Sequence, residues 1–345
     1  MKKILFVYTS FSSFVKTDYE ILSENYKIVK HQYFQGKSIF NHLLNQIKLF
    51  FFLIKNIFAA DAGYIWFADY HSFLPVFFAK VFGRKSFLVL GGYDVTYIPE
   101  YNYGSINNPI RAFCAKYSIR NAALNLCVSD NIKTDALRLV PEANAKILYT
   151  GYSPEKFDFD PDAKRTGIIS VCGADTLQRI YIKGVDLFLE TAKLLPEEKF
   201  FLIAVDEELL KSNFEVPANV EVIKKIPQQE LIDLFRETSV YTQFSLREGL
   251  PNAVCEAMLC GCIPVGVEAG GIPIAIGEAG YISSKREAPE IAELISEALK
   301  ADLNFRMKAR NRIMENFTLE TRSKKLKITI NNILGGNADH QKKSF

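Results

Sequence analysis

Short apolar runs alternate with stretches of helical periodicity along most of the chain. In the first half, apolar runs predict strands at 4–8, 26–30, 63–67, 86–90, 124–128 and 146–150. Stretches with apolar residues at helical spacing lie between them, at 38–59, 72–83, 108–120 and 130–139. This alternation is typical of α/β domains with largely parallel sheets.

A segment rich in proline, aspartate and lysine, 151–166, interrupts the pattern. The alternation then resumes, with apolar runs at 167–173, 199–205, 220–224, 240–245 and 262–267 and helical stretches at 183–195, 227–238 and 288–300. We therefore predict two Rossmann-like domains, 1–150 and 167–316, joined by a linker and facing a central cleft. A C-terminal helix at 317–334 is expected to return to the first domain, before a tail at 335–345.

The helical stretch 38–59 carries a broad apolar face. The face comprises Phe40, Leu43, Leu44, Ile47, Phe50, Phe51, Ile54, Ile57 and Phe58. Lys48 and Lys55 interrupt the apolar run, which is therefore too short for a membrane-spanning helix. The face either packs on the sheet of the first domain or lies in a membrane interface, and the two interpretations are compatible.

Charge is distributed unevenly along the chain. The formal net charge of +3 is too small to indicate nucleic-acid binding. Residues 1–60 nevertheless carry eight lysines against three acidic residues, whereas the remainder is slightly acidic. A basic, aromatic-rich N-terminal segment is compatible with an anionic membrane surface or an acidic ligand.

Cysteine and histidine usage argues against metal sites and disulfides. The six cysteines lie in apolar segments without CxxC spacing, and only four histidines are present. We therefore expect reduced core thiols in a cytoplasmic protein. The N-terminal MKKILFVYTS predicts a first strand rather than a signal peptide, because its apolar run is short and no cleavage site follows.

Ligands of parallel sheets bind beyond the carboxyl ends of the strands, so the loops there are searched first. Neither the loop 9–18 nor the loop after 167–173 has a GxGxxG pattern, which argues against nicotinamide chemistry. Arg179 and Lys183 fall in the second of these loops, before a helix predicted to begin near Gly184. Two cations at a helix N-terminus suit a diphosphate; the alternative is that both are solvated surface charges.

The stretch 247–256, REGLPNAVCE, leads from an apolar run into a helix. Pro251 suits the first helical position, and Gly261 suits the end of the helix. Glu248 is then expected in the loop at the carboxyl edge of the sheet, while Glu256 falls among small and apolar helical residues. A carboxylate there needs hydrogen-bond donors, such as the two hydroxyls of a ribose, unless it lies on an exposed face.

Together these motifs resemble glycosyltransferase family 4, whose members are retaining, nucleotide-sugar-dependent enzymes of the GT-B fold. The resemblance rests on the Glu-x7-Glu spacing, the EGLP opening, the continuation AMLCGCIPV, the Gly270–Gly271 loop and the upstream Arg179/Lys183 loop. It is strong over 167–282 and looser in the N-terminal half. It implies catalysis without a metal ion. It also implies no cofactor, because the nucleotide-diphosphate sugar is a co-substrate.

The resemblance also implies a role for each motif residue. Arg179 and Lys183 would bind the donor diphosphate and stabilise it as the leaving group, and Glu248 would meet the donor sugar hydroxyls. Glu256 would hold the nucleotide ribose. The other donor-binding residues would be Gly249, Leu250, Pro251, Asn252, Gly270 and Gly271.

In the first domain, the segments 66–72 and 90–95 match strand-end loops that face the acceptor in such enzymes. The acceptor-side candidates are Asp69, His71, Gly91, Gly92 and Asp94. His71 is suited to acid/base work near neutral pH, although a loop-exposed histidine can also be incidental.

The sequence departs from the family pattern at two positions. Many relatives carry His-Gly where this chain has Gly91–Gly92, and a glutamate where it has Ile274. The roles of those two side chains are therefore not transferred. The triplet 158–160 matches the DxD metal motif of the other large glycosyltransferase fold, but it lies in a proline-containing predicted linker, which argues against a metal site.

We therefore expect a glycosyltransferase that acts on a glycan or lipid-linked saccharide acceptor, in cell-surface polysaccharide biosynthesis, peripherally on the inner face of the cell membrane. No nucleic-acid partner is expected. Two alternatives remain. A nucleotide-sugar epimerase is disfavoured by the scarcity of histidines near the second-half motifs, and a non-catalytic nucleotide-sugar-binding partner or sensor is disfavoured by the presence of both glutamates.

Overall fold

The chain folds into two α/β units in the computed structural model, which describes residues 1–36 and 38–335. The first unit comprises Met1–Gly151 and the chain from Glu320 onward, and the second comprises Tyr152–Leu319. Each unit is built on one six-stranded sheet whose neighbouring strands are all parallel. The predicted α/β class with two Rossmann-like domains is confirmed.

The first sheet is formed by the runs predicted as strands. Its strands are β1 (Lys3–Tyr8), β2 (Lys27–Gln32), β3 (Ala62–Trp66), β4 (Lys85–Leu90), β5 (Leu124–Cys127) and β6 (Ala145–Ile147), in the order β2-β1-β3-β4-β5-β6. Strands β3 and β5 are buried along their whole length, and β1 and β4 along all but the first residue. Strands covered on both faces have continuous apolar sequences, which is why the pattern revealed them.

Helices follow the strands of the first sheet. They are α1 (Ser13–Ser23), α2 (Ile39–Asn56), α3 (Tyr70–Val81), α4 (Pro109–Asn121) and α5 (Asp130–Leu139). Short polar side chains set two of the starts: Ser38 Oγ accepts the N–H of Asn41, and Asn108 Oδ1 accepts that of Ile110. Helix α1 begins inside the stretch 9–18 that the sequence assigns to a loop.

The second sheet repeats this design. Its strands are β7 (Ile168–Ala174), β8 (Phe200–Val205), β9 (Val220–Ile223), β10 (Val240–Gln243), β11 (Ile263–Val267) and β12 (Tyr281–Ser283), in the order β12-β11-β10-β7-β8-β9. The helices are α6 (Leu177–Lys183), α7 (Val185–Leu194), α8 (Glu207–Asn213), α9 (Gln228–Glu237), α10 (Asn252–Leu259), α11 (Ile272–Ile276), α12 (Ala288–Leu299) and α13 (Leu303–Asn316). The six cysteines of the chain are buried with free thiols, as core residues are expected to be.

The segment predicted as a linker, 151–166, lies almost entirely in the second unit. Tyr152 and Phe157 are at most 5% exposed. The N–H of Thr166 donates to Glu237 O at 2.9 Å. The proline-rich composition therefore marks an irregular packed segment rather than a free connection.

The C-terminal helix α14 (Leu319–Gly335) belongs to the first unit from Glu320 onward. Arg322 holds it there through a two-pronged ion pair with Asp18, in which Nε–Oδ1 and Nη2–Oδ2 are both 2.7 Å. The hydroxyl of Tyr64 donates to Asp18 Oδ2 at 2.6 Å. The predicted tail lies beyond Gly335, outside the described residues.

Helix α2 packs on the core with a different face from the one predicted. Leu49, Leu53 and Ile57, spaced four residues apart, are at most 2% exposed. The predicted face points outward except at Ile57. Its other members are 39–66% exposed: Phe40, Leu43, Leu44, Ile47, Phe50, Phe51, Ile54 and Phe58. None of the helices in the described ranges is long and apolar enough to cross a bilayer.

Candidate functional site

Three neighbouring strands of the second sheet end at the candidate site. Strands β11, β10 and β7 are adjacent and parallel, so their carboxyl ends open at one edge of the sheet. Helix α6 follows β7, residues 244–251 follow β10, and Gly270–Gly271 follow β11. These connections carry the residues that the motifs single out, at the edge where such sheets bind ligands.

Arg179 and Lys183 lie on helix α6 rather than in a loop. The hydroxyl of Thr176 accepts the N–H of Arg179 at 3.3 Å and caps the start of this helix. Gly184, with φ +70°, ends it. The four-residue spacing places the two cations on the same side of α6.

Gly184 allows the end of α6 to approach the end of β10 closely. A Cβ atom at this position would lie 2.3 Å from Phe244 O. The N–H of Leu246 donates to Ile182 O at 2.8 Å. The positive φ and the close approach both require glycine, and together they bring Lys183 to the loop after β10.

Lys183 and Glu248 form an ion pair at this edge. The distance from Lys183 Nζ to Glu248 Oε1 is 2.7 Å, and the two side chains are 19% and 16% exposed. Gln243 Nε2 lies 3.3 Å from the same oxygen, and the hydroxyl of Tyr241 donates to the Gln243 amide oxygen at 3.1 Å. The pair is held in place by neighbouring donors and offers both a cation and an acceptor to one ligand.

Arg179 is more exposed than Lys183. Its Nη1 lies 3.4 Å from Asp175 Oδ1, and the two side chains are 45% and 72% exposed. Exposed pairs of this kind contribute at most about 1 kcal/mol to stability. The guanidinium can therefore turn from Asp175 to an anionic ligand at small cost in free energy.

The Gly270–Gly271 loop supports the main chain of Glu248. Gly270 has φ +54°, and a Cβ atom there would lie 2.3 Å from Glu248 O. The N–H of Gly271 donates to the same carbonyl at 3.0 Å. Ile274, where relatives have a carboxylate, uses its carbonyl to accept from Arg312 Nη2 at 2.8 Å. The glycines thus fix Glu248 from the β11 side.

The loop 248–251 passes into helix α10 at Pro251, as predicted. Gly249, Leu250 and Pro251 are buried, and Asn252 is the first helical residue. The side-chain oxygen of Asn252 accepts a hydrogen bond from the hydroxyl of Tyr152 at 2.7 Å. No motif indicates Tyr152, which precedes Asn252 by a hundred residues.

Glu256 is a buried carboxylate in helix α10, with 9% exposure. Burial raises its pKa to about 7, and the charge of Lys156 opposes this shift. Among residues 1–36 and 38–335, no hydrogen bond to its side chain contributes to this pKa shift. The exposed-face alternative is therefore wrong, and the carboxylate keeps acceptor capacity for a ligand.

Glu256 should make the folded protein less stable as the pH rises through neutrality. The folded state keeps a proton on Glu256 that the unfolded chain loses near pH 4.5. The stabilisation present below pH 4.5 is therefore lost as the pH rises to about 7, roughly 3 kcal/mol in total. Glu256→Gln is expected to gain this amount over the wild type between pH 5 and about 8, measured by urea unfolding with circular dichroism. Glu293→Gln, on the exposed side of α12, is the control. A difference between Glu256→Gln and wild type that does not vary with pH would contradict the assignment.

Asp94, an acceptor-side candidate in the first unit, is a buried carboxylate that joins two strand ends. Its Oδ2 accepts the N–H groups of Ala68 at 3.3 Å and Gly91 at 3.1 Å, and its Oδ1 accepts that of Gly92 at 2.7 Å. Burial raises its pKa to about 6 against these hydrogen bonds. Asp94 therefore shapes the loop after β4, with its oxygens occupied by the main chain.

Asp69 and His71 also have internal partners. Asp69 Oδ1 accepts the N–H of Tyr70 at 2.7 Å in a capping box at the start of α3 and lies 3.3 Å from Arg111 Nε. His71 is in the first turn of α3 and 1% exposed, which corrects its predicted position in a loop. Its Nε2–H donates to Trp66 O at 2.7 Å, and burial lowers its pKa. A neutral histidine in this position stabilises the end of β3.

Gly91 faces the ring of Phe67. A Cβ atom at Gly91 would lie 2.4 Å from Phe67 Cε1, so a side chain at this position would require the Phe67 ring to move. Phe67 itself has φ +71°, a conformation that bulky residues rarely adopt. Sequence reasoning missed Phe67, because nothing in an aromatic side chain signals a left-handed backbone.

A cluster around Arg111 was also missed. Its Nη1 donates to the Tyr93 hydroxyl at 2.9 Å, and its guanidinium lies 5.2 Å from the centre of the Tyr70 ring. Arg111 is on α4, outside both segments that the motifs single out. The cluster adds a half-buried cation and two phenol rings to the ends of β3 and β4.

The DxD triplet is engaged in protein contacts. Asp158 forms an ion pair with Arg236, and Asp160 accepts the N–H of Asp162 at 2.9 Å. Within the part of the chain that the structure describes, no group of three or more histidine, cysteine, aspartate or glutamate side chains is placed to hold a metal ion.

Comparison with known sequences finds a similarity that covers the candidate site. Residues 176–318 match the family model described as glycosyl transferases group 1, and this range contains every predicted donor-site residue. The chain is 21% identical over 221 residues to one component of the phosphatidylinositol N-acetylglucosaminyltransferase of Arabidopsis thaliana. That alignment covers 60% of this chain and 49% of the relative, so the chain spans about half the length of the curated protein that it matches.

Comparison with solved structures supports the fold. Sucrose-phosphate synthase from Thermosynechococcus elongatus superposes with a TM-score of 0.81 at 13% identity, covering 97% of this chain and 100% of that one. HepE from Anabaena in complex with UDP-glucose superposes with a TM-score of 0.74 at 14% identity, covering 96% and 100%. The predicted GT-B class of fold is confirmed.

Proposed function

We propose that the protein transfers a sugar from a nucleotide-diphosphate sugar to a glycan or lipid-linked acceptor, since residues 176–318 match the family model described as glycosyl transferases group 1. Membership of the narrower family 4, retention at the sugar carbon and independence from metal ions are parts of this proposal. The structure of HepE with UDP-glucose supports a nucleotide-sugar donor. The name of the Arabidopsis relative, which includes phosphatidylinositol, supports a lipid-linked acceptor. We place the activity in cell-surface polysaccharide biosynthesis.

The observation that carries the proposal is the Lys183–Glu248 pair at the carboxyl edge of the second sheet. A diphosphate needs a cation, and sugar hydroxyls need an acceptor beside it; the pair supplies both within 2.7 Å. This local geometry requires glycine at positions 184 and 270, because a side chain at either position would collide with the loop after β10. Glu256 adds a carboxylate suited to the ribose diol.

The mechanism follows from where charge develops. As the bond to the diphosphate breaks, negative charge accumulates on the leaving group, and Arg179 with Lys183 stabilises it electrostatically. Glu248 accepts hydrogen bonds from the donor sugar hydroxyls and orients the ring. The acceptor hydroxyl attacks from the face on which the diphosphate departs, and its proton passes to the leaving phosphate oxygen, which accounts for retention.

A thermal-shift panel with UDP, GDP, ADP, TDP and CMP sugars tests the proposal. One class of nucleotide sugar is expected to raise the melting temperature progressively as its concentration increases. Measured above pH 7, where Glu256 is ionised, Glu256→Gln should weaken that binding roughly 10–100-fold, because it removes a charged hydrogen-bond acceptor from the ribose. Glu293→Gln should bind as the wild type does.

Turnover separates the enzyme from its alternative. The donor that binds is expected to be hydrolysed slowly without an acceptor and consumed faster with a saccharide acceptor. If no nucleotide sugar shifts the melting temperature, the donor-site assignment is wrong. If one binds without hydrolysis or transfer, the protein is a nucleotide-sugar-binding partner or sensor instead.

A further inference from the structure

The first unit carries an extensive apolar surface that faces solvent. Its members, on α2 and the turn Ile57–Ala59, on α3 with the residue after it, and on α4, are 38–66% exposed. They are Phe40, Leu43, Leu44, Ile47, Phe50, Phe51, Ile54, Phe58, Phe77, Val81, Phe82, Ile110 and Phe113. We call this set the aromatic face. Exposed apolar patches on this scale mark interaction surfaces.

Ring contacts make the aromatic face continuous across the three helices. The contacts that join them are Phe50–Phe78 at 5.6 Å, Phe58–Phe82 at 4.9 Å and Phe73–Phe113 at 5.8 Å between ring centres. The large side chains therefore form one surface rather than scattered exposed residues, which any protein has.

The core does not require this surface. Helix α2 attaches to the first unit through Leu49, Leu53 and Ile57 on its opposite side. Removing a phenylalanine side chain from water is favourable, so an exposed one gains stabilisation when a second surface covers it. The exposed phenylalanines of the aromatic face would therefore favour association with a second surface that buries them.

The charge around the aromatic face selects the occupant. Helices α2, α3 and α4 contain no aspartate or glutamate. Their basic residues are Lys48, Lys55, Lys80, Arg111, Lys116 and Arg120. Lys48 and Lys55 are exposed and follow one border of the apolar face of α2. A protein interface has a polar rim, whereas apolar side chains flanked by exposed lysines, on helices without acidic residues, complement the anionic headgroups and acyl chains of a bilayer.

We propose that the aromatic face docks the protein on an anionic phospholipid membrane, with α2 lying in the plane of the headgroups. The assignment rests on the proposed function only for the idea that the acceptor is carried by lipid. Phenylalanine, leucine and isoleucine side chains enter the interface, while the flanking lysines contact lipid phosphates. The surface would then keep the first unit next to a membrane-borne acceptor.

Co-sedimentation of the full chain with lipid vesicles tests this docking. The protein is expected to bind vesicles of phosphatidylcholine mixed with phosphatidylglycerol and to bind phosphatidylcholine alone much more weakly. Phe51→Ser with Phe58→Ser, both 64% exposed in the wild type, should weaken binding at least about tenfold. Lys48→Gln with Lys55→Gln should weaken it about thirtyfold on the anionic vesicles, since each basic residue near such a surface contributes about 1 kcal/mol.

Matched variants control for general effects. Leu194→Ser with Ile328→Ser removes two exposed apolar side chains outside the aromatic face, 49% and 48% exposed. Lys225→Gln with Lys300→Gln removes two exposed lysines from the second unit. Both control pairs are expected to bind vesicles as the wild type does, and all variants should keep the wild-type circular dichroism and nucleotide-sugar response.

Three outcomes would overturn the docking surface. In the first, the double phenylalanine and double lysine variants bind vesicles as the wild type does. In the second, the two control variants lose as much vesicle binding as they do. Alternatively, wild-type protein could fail to bind vesicles but elute as an oligomer that Phe51→Ser with Phe58→Ser converts to a monomer, so that the face joins copies of the chain. If the wild-type protein binds vesicles but binds no nucleotide sugar, the result counts against the proposed function alone.

Discussion

Lys183→Ala is expected to lower the rate of sugar transfer by about 10²–10³-fold while the protein stays folded. The substitution removes a cation held 2.7 Å from Glu248 at the point where the diphosphate would depart. Positively charged groups positioned in advance stabilise the developing charge without reorganising during the reaction. The measurement is the rate of donor consumption with acceptor and, separately, of slow donor hydrolysis without it.

Two further variants show whether the loss is electrostatic. Removing Lys183 also takes the partner from Glu248, so the double variant Lys183→Ala with Glu248→Gln is needed; it is expected to remain as slow as Lys183→Ala. Lys193→Ala breaks an exposed pair with Glu215, whose side chains are 46% and 83% exposed, and should keep the full rate. A loss of less than tenfold in Lys183→Ala, or recovery in the double variant, would refute the leaving-group role.

Arg322→Ala is expected to destabilise the first unit by about 3–5 kcal/mol, because it leaves the buried carboxylate of Asp18 without its cation. The two side chains are 2% and 0% exposed, and the arginine also donates to the carbonyl oxygen of Leu148 at 3.0 Å. The guanidinium lies 5.9 Å from the centre of the Trp66 ring. Trp66 is the single tryptophan of the chain, so its fluorescence during urea unfolding reports on this unit.

The same helix provides the control for Arg322. Lys327 pairs with Glu24, and the two side chains are 27% and 60% exposed. Lys327→Ala should therefore cost less than about 1 kcal/mol. Equal losses in the two variants would mean that the burial of the Arg322 pair has no special weight in holding α14.

The fold was predictable from the sequence where burial of an element requires a recognisable apolar pattern. Central parallel strands such as β3 and β4 are covered on both faces and appear as unbroken apolar runs. Short elements escaped, among them β12 and the helices α1, α6 and α8. A segment of three to eleven residues with few buried side chains carries little periodicity, and its structure depends on the neighbours against which it packs.

The candidate donor-side motif is recognisable in the sequence because its spacing is local. Glu248, Pro251 and Glu256 fall within nine residues, and the order loop, proline, helix holds in the structure. The contacts that complete the site are long-range. Lys183 meets Glu248 across 65 residues, and Tyr152 meets Asn252 across 100. Such pairs depend on which strands become neighbours, and β7 and β10 adjoin only in the folded sheet.

The acceptor-side candidates show a different limit. Their position near strand ends singled out Asp69, His71 and Asp94 as candidates, and in the structure each uses its polar atoms on the surrounding main chain. A sequence gives residue type and place in the chain, but hydrogen-bond partners follow from backbone geometry. Phe67 illustrates the same point, since its residue type does not signal the positive φ that it has at the end of β3, opposite Gly91.

Helix α2 separates local from tertiary information most clearly. Periodicity alone established that residues 38–59 form a helix with a broad apolar side and lysines beside it. Periodicity does not tell which side of an almost wholly apolar helix turns inward, because more than one face satisfies the pattern. The packing of the first unit settled that choice: it accepts the narrow line through Leu49, Leu53 and Ile57 and leaves Phe51 and Phe58 in solvent. Sequence thus determined the chemistry of the surface, and tertiary packing determined that it is a surface at all.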